Sequence, residues 1–252
     1  MNFFVDTPVE DTRSDHTLWP EKYRPHTLAE YVGNDTLKAK VKQYIAANDI
    51  PHLLFYGGAG TGKTTLAKLI ASSIKCDMLY INASDENGID TIRVKIKNFA
   101  CNIGVNPLKV IILDEADGLT PAGQGALRNT METFSAHTRF ILTCNFRERI
   151  VEPIQSRCQS FGVTPPSKNE VAMKLLSILT QEGVKFDKKD IALLVQSHYP
   201  DIRAVINIAQ RNVIDGELRL TKEDVLVGDI KTKLVELLKG DNSKDAFNGI
   251  RQ

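Results

Sequence analysis

Gly57-Gly58-Ala59-Gly60-Thr61-Gly62-Lys63-Thr64 stands between the apolar run Leu53-Leu54-Phe55-Tyr56 and the helix-forming run Leu66 to Ile74. It fits G-x-x-x-x-G-K-[ST] in the setting that pattern requires, after a strand and opening a helix. Glycines here let backbone N–H groups turn inward around phosphate oxygens, and the helix N-terminus adds positive potential. Lys63 is placed to reach the terminal phosphates of a nucleotide, and the Thr64 hydroxyl to meet Mg²⁺; Thr65 follows at the start of the helix and joins the binding set. A dinucleotide-binding reading of the same glycines fails, because Gly58-x-Gly60-x-x meets Lys63 where Gly or Ala is needed.

Fifty-one residues after Lys63, the run Val110 to Asp117 reads VIILDEAD, a buried strand ending in acids. Asp114 is suited to hold Mg²⁺ through its water shell, and Glu115 to polarise the water that attacks a γ-phosphate. Further apolar runs, MLYIN at 78–82 and RFILTCN at 139–145, alternate with helical stretches. That alternation predicts an α/β fold, a parallel sheet covered by helices. Asn145, at a strand end, is a candidate contact for the water or the phosphate, and is equally a residue type that begins turns. Arg157 and Arg203 are candidate phosphate ligands, although a single arginine is more often a surface charge.

The strand pattern stops after Phe161, at Pro165-Pro166, and helices are expected over 168–182, 187–198, 201–214 and 221–227. We therefore divide the chain into a flexible tail at 1–18, a phosphate-loop domain at 19–164, a small helical domain at 165–228 and the start of a further helical unit at 229–252. The tail is polar, acidic and aperiodic, a composition with little apolar surface to offset ordering entropy. Its first residues carry no basic leader before a long apolar stretch, and no apolar run spans a bilayer, so a cytosolic or nuclear location is expected. Cys76, Cys101, Cys144 and Cys158 stand singly, without a CxxC pair, and are read as reduced and mostly buried. With a formal net charge of +1, nucleic-acid binding must come from local patches.

The order of these segments closely resembles the small subunits of replication factor C and the ATPase subunits of phage clamp loaders, which are AAA+ proteins. The resemblance covers about residues 19–227. It is carried by TLWPEKYRP at 17–25, the phosphate loop, INASDENGIDTIRVKIKNFA at 81–100, LDEAD, GALRNTMETF at 125–134, Asn145, IVEPIQSRC at 150–158 and PDIR at 200–203. It implies an AAA+ ATPase domain followed by a helical lid, using ATP and Mg²⁺, in a pentamer-type ring that places a sliding clamp on primer-template DNA, with no membrane involved. Position by position, Tyr23, Arg24 and Pro25 would lie near the adenine, and Asn145 would be the sensor-1 residue. Arg203 would touch the phosphates of its own subunit, while Arg157, in the SRC motif, would enter a neighbour's site in trans.

DNA contact in the family comes from helix starts on the inner face of the spiral. Arg93 and Lys97 are the candidates here, expected at i, i+4 on one helix face with Lys95 turned away; a plain solvated face is the alternative. Arg128 is a second candidate, or a coupler between DNA and the acidic pair. Two rivals share the ATP chemistry: an AAA+ helicase or branch-migration motor, and a subunit that holds ATP without turning it over. YPDIR and a phosphate loop without prolines are closer to T-even-type phage loaders, which makes a viral origin plausible, with the host cytoplasm as its location. The family also carries a helical collar domain, which would begin near the end of this chain.

Overall fold

The computed structural model describes residues 18–221, with the backbone alone for 91–93. The expected tail, the helix at 221–227 and the expected start of a collar lie outside the described residues or at their very edge. Two compact units are present. One comprises Pro25–Lys174 with His198–Ile202; the other gathers the described parts of Met1–Arg24, Leu175–Ser197 and Arg203–Gln252.

The larger unit is built on five parallel strands: β1 (Leu53–Tyr56), β2 (Cys76–Asn82), β3 (Leu108–Asp114), β4 (Thr138–Cys144) and β5 (Gln159–Gly162). Their order is β2-β3-β4-β1-β5. The middle strands are apolar over most of their length because both faces are covered, as parallel sheets require. Leu53, Phe55, Val110, Ile112 and Ile141 share one core with Leu66, Ile70 and Val41, whereas Leu54, Ile111, Leu113, Phe140 and Leu142 share another with Leu127 and Met131. Burying each such side chain stabilises the fold by about 1.5–3 kcal/mol. β5 was not anticipated, since Gln159-Ser160-Phe161-Gly162 lacks an apolar run. It is the sheet edge beside β1, placed by backbone pairing and by Phe161, which packs against Phe55 and the core.

Helices α1 (Trp19–Lys22), α2 (Asp35–Ala47), α3 (Lys63–Ser73), α4 (Lys97–Cys101), α5 (Pro121–Thr133) and α6 (Glu152–Gln155) precede β5 in the chain. α3 begins at Gly62, whose φ of +92° turns the chain into the helix, and ends where Ile74 becomes extended. In α5 the Thr120 hydroxyl accepts the Gly123 N–H at 3.1 Å and Pro121 follows at the first turn, a well-made start. The backbone of Thr91–Ile96 is π-helical and runs directly into α4.

The smaller unit contains α1, the second half of α7 (Lys168–Gln181), most of α8 (Lys188–His198), most of α9 (Ile202–Arg211) and the antiparallel pair β6 (Val213–Ile214) and β7 (Glu217–Leu218). Its own core includes Trp19, Leu175, Leu179, Leu194, Val205 and Leu218. The Trp19 N–H donates to Gln210 Oε1 at 2.8 Å, and the Tyr23 hydroxyl to Glu182 Oε1 at 2.6 Å, so α1 and the turn after it pack with this unit. The helix expected at 201–214 is shorter. Asp215 and Gly216, both at positive φ, form the two-residue turn of a tight hairpin, and Val213-Ile214 pair as strand. Among the described residues no helix is long and apolar enough to cross a membrane. Cys144 is buried, Cys76 and Cys158 are half-buried and Cys101 is exposed, so the cysteines are less buried than expected; all four are free thiols.

Candidate functional site

Strand register assembles the site. β1 pairs with β4 as Tyr56↔Cys144, so Gly57 and Asn145 leave the sheet side by side. β3 pairs with β4 as Leu113↔Leu142, which brings Asp114 beside Thr143. Everything lies at the carboxyl ends of parallel strands, where open α/β sheets bind ligands.

Gly57 has φ +146°, and a Cβ added there would stand 2.5 Å from the Val163 carbonyl oxygen, so only glycine fits. That carbonyl belongs to a segment fixed by the Val163 N–H donating to Tyr56 O at 2.8 Å. Beneath the loop lies Tyr31, buried, its hydroxyl 3.4 Å from Thr61 O; burial pushes its phenol well above the ordinary tyrosine range. The Thr61 hydroxyl donates to Gly58 O at 2.9 Å and closes the loop on itself.

Lys63 is only 8% exposed, and its ammonium donates to Gly57 O at 2.9 Å, Gly58 O at 2.7 Å and Asn145 Oδ1 at 2.8 Å. Asn145 therefore meets the loop lysine, as a residue working on the same phosphate should. Asp117, two residues beyond the acidic pair, accepts the N–H groups of Asn145 at 3.2 Å and Phe146 at 3.1 Å and so sets the exit of β4.

Asp114 receives three hydroxyls from three elements. Thr64, on α3, donates to Oδ1 at 2.7 Å; Thr143, on β4, donates to Oδ1 at 2.5 Å; Tyr80, on β2, donates to Oδ2 at 2.8 Å. Thr143 also accepts the Glu115 N–H at 3.1 Å, so one buried hydroxyl fixes both acids. Glu115 adopts φ +53°, an uncommon conformation for a residue with a side chain, and one that clusters at functional sites. This turn leaves its carboxylate exposed, where it accepts a hydrogen bond from the Ser84 hydroxyl. Cys144 lies beside these groups, and burial first, then Asp117, pushes its thiol up to about 12, which keeps it protonated and inert.

Arg157 donates to Pro153 O at 2.5 Å and pairs with Glu132 at the end of α5; none of these bonds runs to the loop or the acids. The preceding segment is held by Gln124, buried on α5, which donates to Arg149 O at 2.9 Å and accepts the Val151 N–H at 2.8 Å. Tyr23 and Arg24 belong to the helical unit, Arg24 pairing with Glu21 at 2.6 Å, and Pro25 begins the other. Arg203 is exposed in the first turn of α9.

Arg128 is exposed, and its guanidinium donates to the neighbouring Asn129 Oδ1 at 3.1 Å. The side chain of Arg93 lies outside the described residues, while Lys97 is exposed. The backbone leading to Lys97 is π-helical over Thr91–Ile96, with amides bonding five residues back in place of four. Lys95 is bound by Glu86 at 2.5 Å. Sequence reasoning missed Tyr31, Tyr80, Ser84 and Thr143. For Thr143 a signal existed: it stands two residues before Asn145, on the strand adjoining the one that ends in Asp114.

Residues 53–165 match the family of ATPases associated with various cellular activities, AAA. The replication factor C small subunit of Archaeoglobus fulgidus is 46% identical over 208 residues, covering 80% of this chain and 65% of that protein. That of Staphylothermus marinus is 40% identical over 247 residues, covering 93% and 75%. The chain thus spans a little under two thirds of the Archaeoglobus protein and three quarters of the Staphylothermus one. Among solved structures, the Thermotoga maritima RuvB Holliday junction branch migration motor superposes with a TM-score of 0.68, at 17% identity, over 88% of this chain and 82% of that one. At that identity the likeness is one of fold.

Proposed function

This chain belongs to the replication factor C small-subunit family of AAA ATPases, and from that premise we propose that it is an ATPase subunit of a sliding-clamp loader, using ATP to place a ring-shaped clamp on primer-template DNA. One observation carries the reading. The loop lysine, Thr64, the acidic pair and Asn145 meet at the strand ends, while the SRC arginine, Arg157, is exposed and bonds to Pro153 O and Glu132 rather than to any of them.

Lys63 binds the terminal phosphates, and Asn145, bonded to it, orients the γ-phosphate or the attacking water. Thr64 and Asp114 offer hard oxygens 2.7 Å apart, a donor pair that fits Mg²⁺ and leaves the remaining positions to water and phosphate. When bound, Mg²⁺ neutralises charge on the phosphates. Glu115 accepts the proton of the attacking water once its carboxylate leaves Ser84. Arg157 of one subunit then stabilises transition-state charge in its neighbour's site, an effect of about 10³–10⁵ in related phosphoryl transfer.

Arg93, Lys97 and Arg128 are assigned to DNA phosphates. Ile103 and Val105, 102% and 94% exposed in the loop after α4, offer the apolar surface for the clamp. The fold likeness to a branch-migration motor adds no second reading, since it rests on architecture alone.

The test is steady-state ATP hydrolysis by the full-length gene product with its companion subunits, with and without primer-template DNA and clamp. Joint stimulation, lost in Arg157→Ala with nucleotide binding intact, is expected. A rate indifferent to clamp and primer, rising instead with long duplex, refutes the proposal.

A further inference from the structure

The Asp114 carboxylate has two oxygens, and the motif residues account for only one. Thr64 and Thr143 both donate to Oδ1, whereas Oδ2 is held by Tyr80, from the edge strand β2. Register explains the reach. Asn82 pairs with Asp114, so Tyr80, two residues earlier, lies on the same face as the diagonal neighbour of Asp114, at a distance that only a long side chain crosses.

The ring is itself held. Lys68 Nζ stands 4.4 Å from its centroid, within cation–π range. Lys68 follows Thr64 by four residues on α3, so both project from one face of that helix. One helix face therefore supplies a hydroxyl to Oδ1 directly and steadies, through Lys68 and the Tyr80 ring, the hydroxyl that meets Oδ2. A carboxylate pinned at both oxygens cannot rotate about its last bond, and its oxygens keep fixed directions.

We propose that Tyr80, braced by Lys68, is a positioning residue that orients the Asp114 carboxylate toward the Mg²⁺ of the bound nucleotide, and so sets the divalent-cation requirement of the site. This rests on the nucleotide-site assignment above and is independent of the clamp-loading one. The Tyr80 hydroxyl takes no part in proton transfer; its effect passes entirely through Asp114. Tyr80→Phe removes that hydroxyl and keeps the ring, the contact with Lys68 and the packing.

The experiment titrates Mg²⁺ against binding of a fluorescent ATP analogue, and against ATP hydrolysis, for the full-length protein in its assembly. Loss of one charge-assisted hydrogen bond to the carboxylate should raise the half-saturating Mg²⁺ concentration about tenfold. Hydrolysis should recover at saturating Mg²⁺, and analogue binding in EDTA should be unchanged. Lys68→Met should move the Mg²⁺ midpoint in the same direction by a smaller factor. A Tyr80→Phe titration that overlays the wild type overturns the proposal, as does a loss of analogue binding in EDTA equal to that in Mg²⁺, which would mark a general packing role. If hydrolysis ignores clamp and primer while the Mg²⁺ midpoint still shifts, the clamp-loader reading falls and Tyr80 keeps its role.

Discussion

Lys109→Met tests how a buried charge secures the segment that carries the exposed apolar pair. Lys109, second residue of β3, is 7% exposed, and its ammonium donates to Phe99 O at 2.8 Å, Ala100 O at 2.9 Å and Asn102 O. Three donors thus meet three carbonyls at the C-terminal end of α4, where the peptide dipoles favour positive charge. Met keeps the length and apolar stem, and it removes both the bonds and the cost of burying the charge, several kcal/mol in either direction. What remains unbalanced is the carbonyls. Each buried acceptor left without a partner costs about 1–3 kcal/mol, and with one or two of the three kept from water the net loss should be about 2–4 kcal/mol. Urea unfolding should show a lower midpoint at unchanged slope. Hydrogen exchange should accelerate over 97–105 at denaturant concentrations below the global transition. A loss under about 1 kcal/mol, or exchange unchanged in that segment, would refute the capping argument.

Glu115→Gln should lower ATP hydrolysis by about 10²–10⁴ while analogue binding stays within twofold, because the amide keeps the shape and cannot take the proton. Gly57→Ala should cost about 2–3 kcal/mol from backbone strain, with the Val163 carbonyl 2.5 Å from the new Cβ adding to it, and thermal melts should lose their response to ATP. His52 gives a pH dependence. Burial, with the nearby Arg139 adding to it, pushes its imidazole from 6.5 down to about 4, so between those values the unfolded chain binds the extra proton. Stability is full above pH 6.5 and drains as the pH falls toward 4. His52→Asn keeps an acceptor for the Phe140 N–H, and urea midpoints at pH 7.5 and 5 should then differ less than in the wild type.

The sheet and the phosphate loop were legible because their signals are local. Leu53–Tyr56 and Val110–Leu113 are continuous apolar runs, and GGAGTGKT constrains its own backbone. β5 was not legible, since its four residues take their conformation from β1. The hairpin had a signal, the Asp215-Gly216 turn between Ile214 and Glu217, but the helical spacing of Val205, Ile206 and Ala209 was carried past it. Lys63, Thr64, Asp114 and Asn145 meet; the motifs pointed to the first three, and for Asn145 only the resemblance decided between a phosphate contact and a turn residue. Tyr80, Ser84 and Thr143 are hydroxyls delivered by neighbouring strands or their exits, and no motif marks a residue whose importance comes from register. The π-helical turn over Thr91–Ile96 was not legible either, since no residue type there marks a change of helical pitch.

The place of β1 in the sheet governs when the chain can fold. β1 pairs only with β4 and β5, through Leu53↔Ile141 and Leu53↔Gln159, partners roughly ninety and a hundred residues later in the chain. During synthesis the phosphate loop therefore hangs from a strand with two open edges until nearly the whole sheet has emerged, several seconds at ordinary elongation rates. Such long-range closure is slow, and an unpaired Leu-Leu-Phe-Tyr segment is a template for pairing with other nascent chains. A polypeptide cut short before Thr138 would carry the full nucleotide-binding motif and no folded nucleotide site, and it would be a substrate for chaperones and proteases.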